Sequence, residues 1–172
     1  RSRSRRNRPM DTPNHDPNPT APGGRRHRLA LAGVLALYLV LAVRLLLLLP
    51  LWGGVQDEPL HFGYARTLAV TGKLPLIEPV HATDLRYYYT TPSAGEAAHH
   101  PPGYYFVASL AMRLCGHASL ATQNYAARGT STMLGLVALL FIYAAVRRLL
   151  PDRPGLAVAV VSHDAVLYTN GF

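Results

Sequence analysis

A chain of 172 residues with a formal charge of +8, 49% hydrophobic residues and a single cysteine can form no internal disulfide and carries no paired-cysteine metal site. Its apolar residues are Leu, Ala and Val gathered in blocks, which argues against one soluble domain. The charge would suit nucleic acid if the rest were polar; beside long apolar runs it reads instead as a topological signal, and no nucleic-acid partner is expected.

Residues 1–28 hold Arg1, Arg3, Arg5, Arg6, Arg8, Arg25, Arg26 and Arg28 against Asp11 and Asp16, with prolines between and little that is apolar. That composition predicts a disordered basic arm on the cytoplasmic side, with Met10 a candidate initiator. Residues 29–52 are apolar but for Arg44 and would make a helix about 36 Å long, enough for a hydrocarbon core of roughly 30 Å. A signal peptide, the rival reading, has a shorter apolar region and a small-residue cleavage site, and LLLLLPLW offers neither.

Residues 53–125 change character: Asp57, Glu58, Glu78, Asp84 and Glu96 nearly balance Arg66, Lys73, Arg86 and Arg113, as expected of a large extracytoplasmic loop. Two stretches in it look helical. Near residues 59–71, an acid at the start, Pro59 in the first turn and Gly72 as a stop bracket a helix with Leu60, Tyr64 and Leu68 on one face, predicted to lie along a membrane surface. Near residues 103–115, GYYFVASLAMRLC follows Pro101 and Pro102; it is too short to span, and Tyr104 and Tyr105 suit a membrane interface. Between them residues 76–100 read as loop, with Tyr87, Tyr88 and Tyr89 a short strand or a stacking surface. Residues 126–146 form a second apolar span interrupted by Arg128, and residues 147–154 an arginine-bearing cytoplasmic turn. Residues 155–172 start a third span that stops without a polar exit, as in the N-terminal part of a longer polytopic protein. The expected fold is therefore all-α: a polytopic membrane protein with interfacial helices in its first extracytoplasmic loop.

The chemistry concentrates in that loop. Asp57 and Glu58 follow the first span by a few residues, where they either cap a helix or do catalytic work at the membrane surface. His61 stands at i+4 from Asp57, on the same helical face, and His99 and His100 precede the second helix. Carboxylate and imidazoles together suit a general base, metal ligands or phosphate donors. No HExxH, nucleophile elbow, phosphate loop or GxGxxG is present.

The order DEPLHFGYARTLAVTGKLP, then HHPPGYYFVASLAMRLCG, then AARGTSTMLGLVALLFIYAAVRRL resembles the N-terminal part of the membrane glycosyltransferases with the C-type fold, among them the bacterial protein mannosyltransferase and aminoarabinose transferase relatives of glycosyltransferase family 39. The resemblance implies an enzyme of the cell membrane that passes a sugar from a polyprenyl-phosphate donor to an extracytoplasmic acceptor. It implies Asp57 as catalytic residue, as general base or through a divalent metal such as Mg or Mn, with Glu58 beside it. Donor phosphate or substrate would fall to His100, Arg66, His61, Tyr104, Tyr105 and Arg128. His100 stands where relatives carry a basic residue before the double proline. Leu60 occupies the stretch where the aminoarabinose transferases carry an arginine, for which Arg66 would substitute. Two readings stand beside this one. A non-enzymatic polytopic protein, a transporter or scaffold subunit, would make His163 and Asp164 within a span the residues of interest. A metal-storing or sensing loop would use His81, His99 and His100.

Overall fold

The computed structural model describes residues 22–51, 57–77, 87–116 and 118–170. Among them the chain is helical without a strand: α1 (Pro22–Leu48), α2 (Glu58–Thr71), α3 (Tyr87–Thr90), a 3₁₀ turn (Gly95–His99), α4 (Gly103–Leu114), α5 (Leu120–Leu149) and α6 (Pro154–Asn170). Two helical stretches, Gly24–Leu48 and Leu120–Leu149, are long and apolar enough to cross a membrane. The apolar part of α6, Pro154–Leu167, is shorter.

The long helices differ from expectation at their ends. The basic arm does not run as far as residue 28, since Pro22 opens α1 and Arg25, Arg26 and Arg28 ride on its first turns. α1 stops at Leu48, short of Trp52, because Pro50 lacks the amide a further turn needs. α5 begins at Leu120 rather than at residue 126, since the Ser119 hydroxyl accepts the Thr122 amide at 3.2 Å and caps it. α1, α5 and α6 pack on one another around Tyr38, Leu139, Val161 and Ala165.

A second core joins α2, α4 and the segment between them through Phe62, Tyr64, Ala65, Leu68, Tyr89, Ala97, Tyr105, Ala108 and Met112. Burying a Met or Phe side chain of this kind stabilises by roughly 1.5–3 kcal/mol. α2 was expected to lie on a surface with one apolar stripe, but it buries Pro59, Phe62, Gly63, Tyr64, Ala65, Thr67 and Leu68, most of its circumference. The reason is the cover: α3 and the 3₁₀ turn fold over one side while α4 packs on another. The tyrosine triplet supplies that cover as a helical turn rather than a strand, with Tyr88 and Tyr89 buried.

The end of α2 follows its sequence signals. Gly72 takes φ 69°, the left-handed conformation that closes a helix, and its amide returns to the Leu68 carbonyl. Arg113 of α4 then donates to the carbonyls of Leu68 and Ala69 at 2.6 and 3.0 Å, so a cation meets the negative end of α2.

Candidate functional site

Where α1 ends and α5 begins, the first turn of α2 and the first turn of α4 close over a half-open cavity of about 410 Å³. Its lower wall is Tyr38, Ala42, Leu45 and Leu46 of α1 with Ser131 and Thr132 of α5. Its upper wall is polar: Asp57, Glu58, His61, Tyr104, Tyr105, Asn124 and Arg128. The lower wall is mainly apolar, and the charged groups lie along the upper one.

Asp57 occupies the N-cap position of α2, yet its side chain makes no capping hydrogen bond. Only its carbonyl serves the helix, accepting from the Leu60 and His61 amides at 3.0 and 3.3 Å. The carboxylate, 65% exposed, turns instead to His61, with Oδ2 3.2 Å from Nε2. The other ring nitrogen, Nδ1, lies 2.6 Å from the Tyr105 hydroxyl, completing a chain Asp57–His61–Tyr105. Tyr105 is held between rings, stacked on Tyr64 at 3.8 Å and edge-on to Tyr104 at 5.1 Å. Burial above all, with Tyr104, Tyr64 and Asp57 nearby, pushes its phenol up to about 12. Tyr104 is raised as well, by burial first; its hydroxyl bonds Ser131 of α5 at 2.9 Å.

Glu58 and Arg128 were expected to act on substrate; both line the cavity, and there they pair with each other. Arg128 Nε and Nη2 reach the two oxygens of Glu58 at 2.5 and 2.8 Å. Its Nη1 donates to the Leu46 and Leu49 carbonyls at 3.3 and 3.0 Å, and Nη2 also donates to Pro50 at 2.8 Å. A guanidinium has five N–H donors and all five are used here, and each Glu58 oxygen accepts one of them. The pair ties α2 and α5 to the frayed end of α1.

The remaining predicted residues divide. His100 is exposed and does not line the cavity, but its ring lies 5.4 Å from that of His61, which does, and His99 stacks on it at 4.4 Å. His100 also stands just before α4, whose first-turn amides have no intrahelical acceptor and favour negative charge. Arg66 does not line the cavity; its Nε and Nη1 are buried with no hydrogen-bond partner among the described residues, and burial lowers its pKa. His163 and Asp164 of α6 lie 3.5 Å apart and are absent from its lining. His81 lies outside the described residues. Among those described, no group of three or more His, Cys, Asp or Glu is gathered to hold a metal.

Asn124, Ser131, Thr132 and Tyr38 line the cavity and were not anticipated. The signal was present in part, because Asn124, Arg128, Ser131 and Thr132 recur at i, i+4, i+7 and i+8 and so mark one polar stripe on an apolar helix. Asn124 is 1% exposed and donates through Nδ2 to the Leu51 carbonyl at 3.3 Å.

Searched against known proteins, the chain matches no family model, no curated protein and no solved structure.

Proposed function

We propose that this chain carries the catalytic end of a polytopic membrane glycosyltransferase, with the cavity receiving a polyprenyl-phosphate sugar and Asp57 deprotonating the acceptor. The supporting observation is Asp57 itself: a carboxylate at the rim of a half-open cavity that does not cap its helix and, among the described residues, has no Arg or Lys partner and no hydrogen bond to Oδ1. In the proposed reaction the acceptor oxygen attacks the anomeric carbon and its proton passes to Asp57. The bond from that carbon to the phosphate oxygen breaks, and polyprenyl phosphate leaves with the electron pair. His100, donating through a ring N–H beside the start of α4, would steady the charge on the leaving phosphate. The apolar faces of α1, α5 and α6 would lie in the bilayer, with the cavity at the extracytoplasmic surface of the cell membrane.

The test is Asp57→Asn in membranes carrying the complete gene product, assayed with polyprenyl-phosphate hexose. Removing a general base should lower transfer by about 10²–10⁴-fold. Because no cap bond is lost, the melting temperature of the purified variant should stay close to that of the parent. Transfer at the parental rate would remove Asp57 from the mechanism, whereas no transfer by the parent itself would favour a non-enzymatic polytopic protein.

A further inference from the structure

Tyr105 and His61 stood among expected substrate contacts, but both are committed to a hydrogen-bonded chain that ends on Asp57. The direction of that chain follows from burial. Tyr105 is 3% exposed, and among the described residues its hydroxyl bonds nothing but His61 Nδ1, at 2.6 Å. With its phenol pushed up to about 12, it remains an O–H near neutral pH. Were His61 to carry its proton on Nδ1, the phenol would have to turn acceptor and leave its own proton buried with no partner among the described residues, which is unfavourable. Donation from Tyr105 to Nδ1 avoids that cost. The neutral imidazole then bears its proton on Nε2, the nitrogen 3.2 Å from Asp57 Oδ2.

Rotation of the phenol is restricted too. Tyr64 stacks on the Tyr105 ring at 3.8 Å with the planes 10° apart, and Tyr64 is itself fixed by its hydroxyl donating to the His100 carbonyl at 3.4 Å. His61 lies nearly parallel to the Tyr105 ring, at 5.8 Å and 12°.

We infer that Tyr105 is a positioning residue which locks His61 in its Nε2–H tautomer, so that His61 donates to Asp57 Oδ2, fixes the carboxylate and leaves Oδ1 as the oxygen that takes a proton. The inference rests on the reading of Asp57 as proton acceptor. It adds that neither His61 nor Tyr105 changes its proton count during transfer: both act through Asp57 and neither is consumed or recharged. A carboxylate fixed by one oxygen presents the other in a defined orientation, which proximity effects make worth far more than one hydrogen bond.

The experiment reads the tautomer directly. In the protein labelled with ¹⁵N-histidine and held in detergent at a pH of about 8, where an ordinary imidazole is neutral, the His61 signals are assigned by their loss in His61→Gln. The expected spectrum shows Nδ1 without a proton and Nε2 protonated, and Tyr105→Phe should convert it to a mixture of tautomers. A native His61 protonated on Nδ1 overturns the inference, and does so even if Tyr105→Phe fails to fold. An unchanged spectrum in folded Tyr105→Phe overturns it as well. In the complete gene product, Tyr105→Phe should lower kcat several-fold with KM unchanged; a change confined to KM would return Tyr105 to substrate binding. A locked tautomer in a protein with no transfer activity would remove the enzymatic reading while leaving the lock in place.

Discussion

Arg128 is 13% exposed and its Glu58 partner 15%, so the pair sits where neither charge is stable alone. Arg128→Ala would strand the Glu58 carboxylate and three carbonyls at the end of α1, and should cost about 3–5 kcal/mol, seen as a lowered melting temperature in detergent. Glu58→Gln with Arg128→Met should be less damaging than Arg128→Ala alone, because the stranded charge is gone. A double variant worse than the single would mean that the pair's value lies in its charge rather than in relieving burial. At this scale the sequence was legible only within one helix. His61 at i+4 from Asp57 could be anticipated, since 3.6 residues per turn places both on one face. Glu58 and Arg128 are 70 residues apart, and nothing in local spacing says that an arginine read as a phosphate ligand is already spent on a carboxylate read as catalytic.

Gly63 carries the comparable argument for elements. It lies in the middle of α2, where alanine is intrinsically better by about 1 kcal/mol, yet a Cβ there would overlap the Ser93 carbonyl oxygen. Gly63→Ala should therefore destabilise by about 1–3 kcal/mol in spite of the propensity gain, with faster proteolysis of the 91–99 segment as the measurement. A stabilised variant would show that this segment does not rest on α2. At Gly135 of α5 a Cβ would overlap the hydroxyl end of Tyr38, the buried ring that bonds the Thr132 carbonyl. The limits of α2 and α4 could be read from Pro59, Gly72 and Pro102, because caps and breakers act locally. The burial of α2 could not. It depends on the chain returning after some twenty residues to lay Tyr88, Tyr89 and Ser93 over its back, and on an arginine of α4 closing its end.

For the whole chain the decisive quantity is apolar surface with nothing on it. Leu37, Val40 and Leu47 of α1, Leu134 and Phe141 of α5 and Val166 and Leu167 of α6 are exposed along helices that pack together, and α1 and α5 hold stretches long and apolar enough to cross a membrane. At 1.5 Å per residue, the 27 residues of α1 and the 30 of α5 reach about 40 and 45 Å, past the roughly 30 Å of a hydrocarbon core. Arg25, Arg26 and Arg28 begin α1, and Arg147, Arg148 and Arg153 follow the body of α5, so an antiparallel pair puts both groups at one end and the cavity at the other. Cys115, the single cysteine, ends α4 at the cavity end and is partly exposed, which makes the chain its own reporter. A membrane-impermeant maleimide added to intact cells should label it. In a Cys115→Ser background, Asp152→Cys in the exposed turn between α5 and α6 should be labelled only after permeabilisation. Labelling in the reverse order would turn the hairpin over and place Asp57 in the cytoplasm, where a lipid-linked sugar presented at the outer surface cannot meet it. Labelling of both positions in intact cells would leave α5 lying outside the bilayer, and its polar stripe of Asn124, Ser131 and Thr132 would then face water rather than the head group of a lipid.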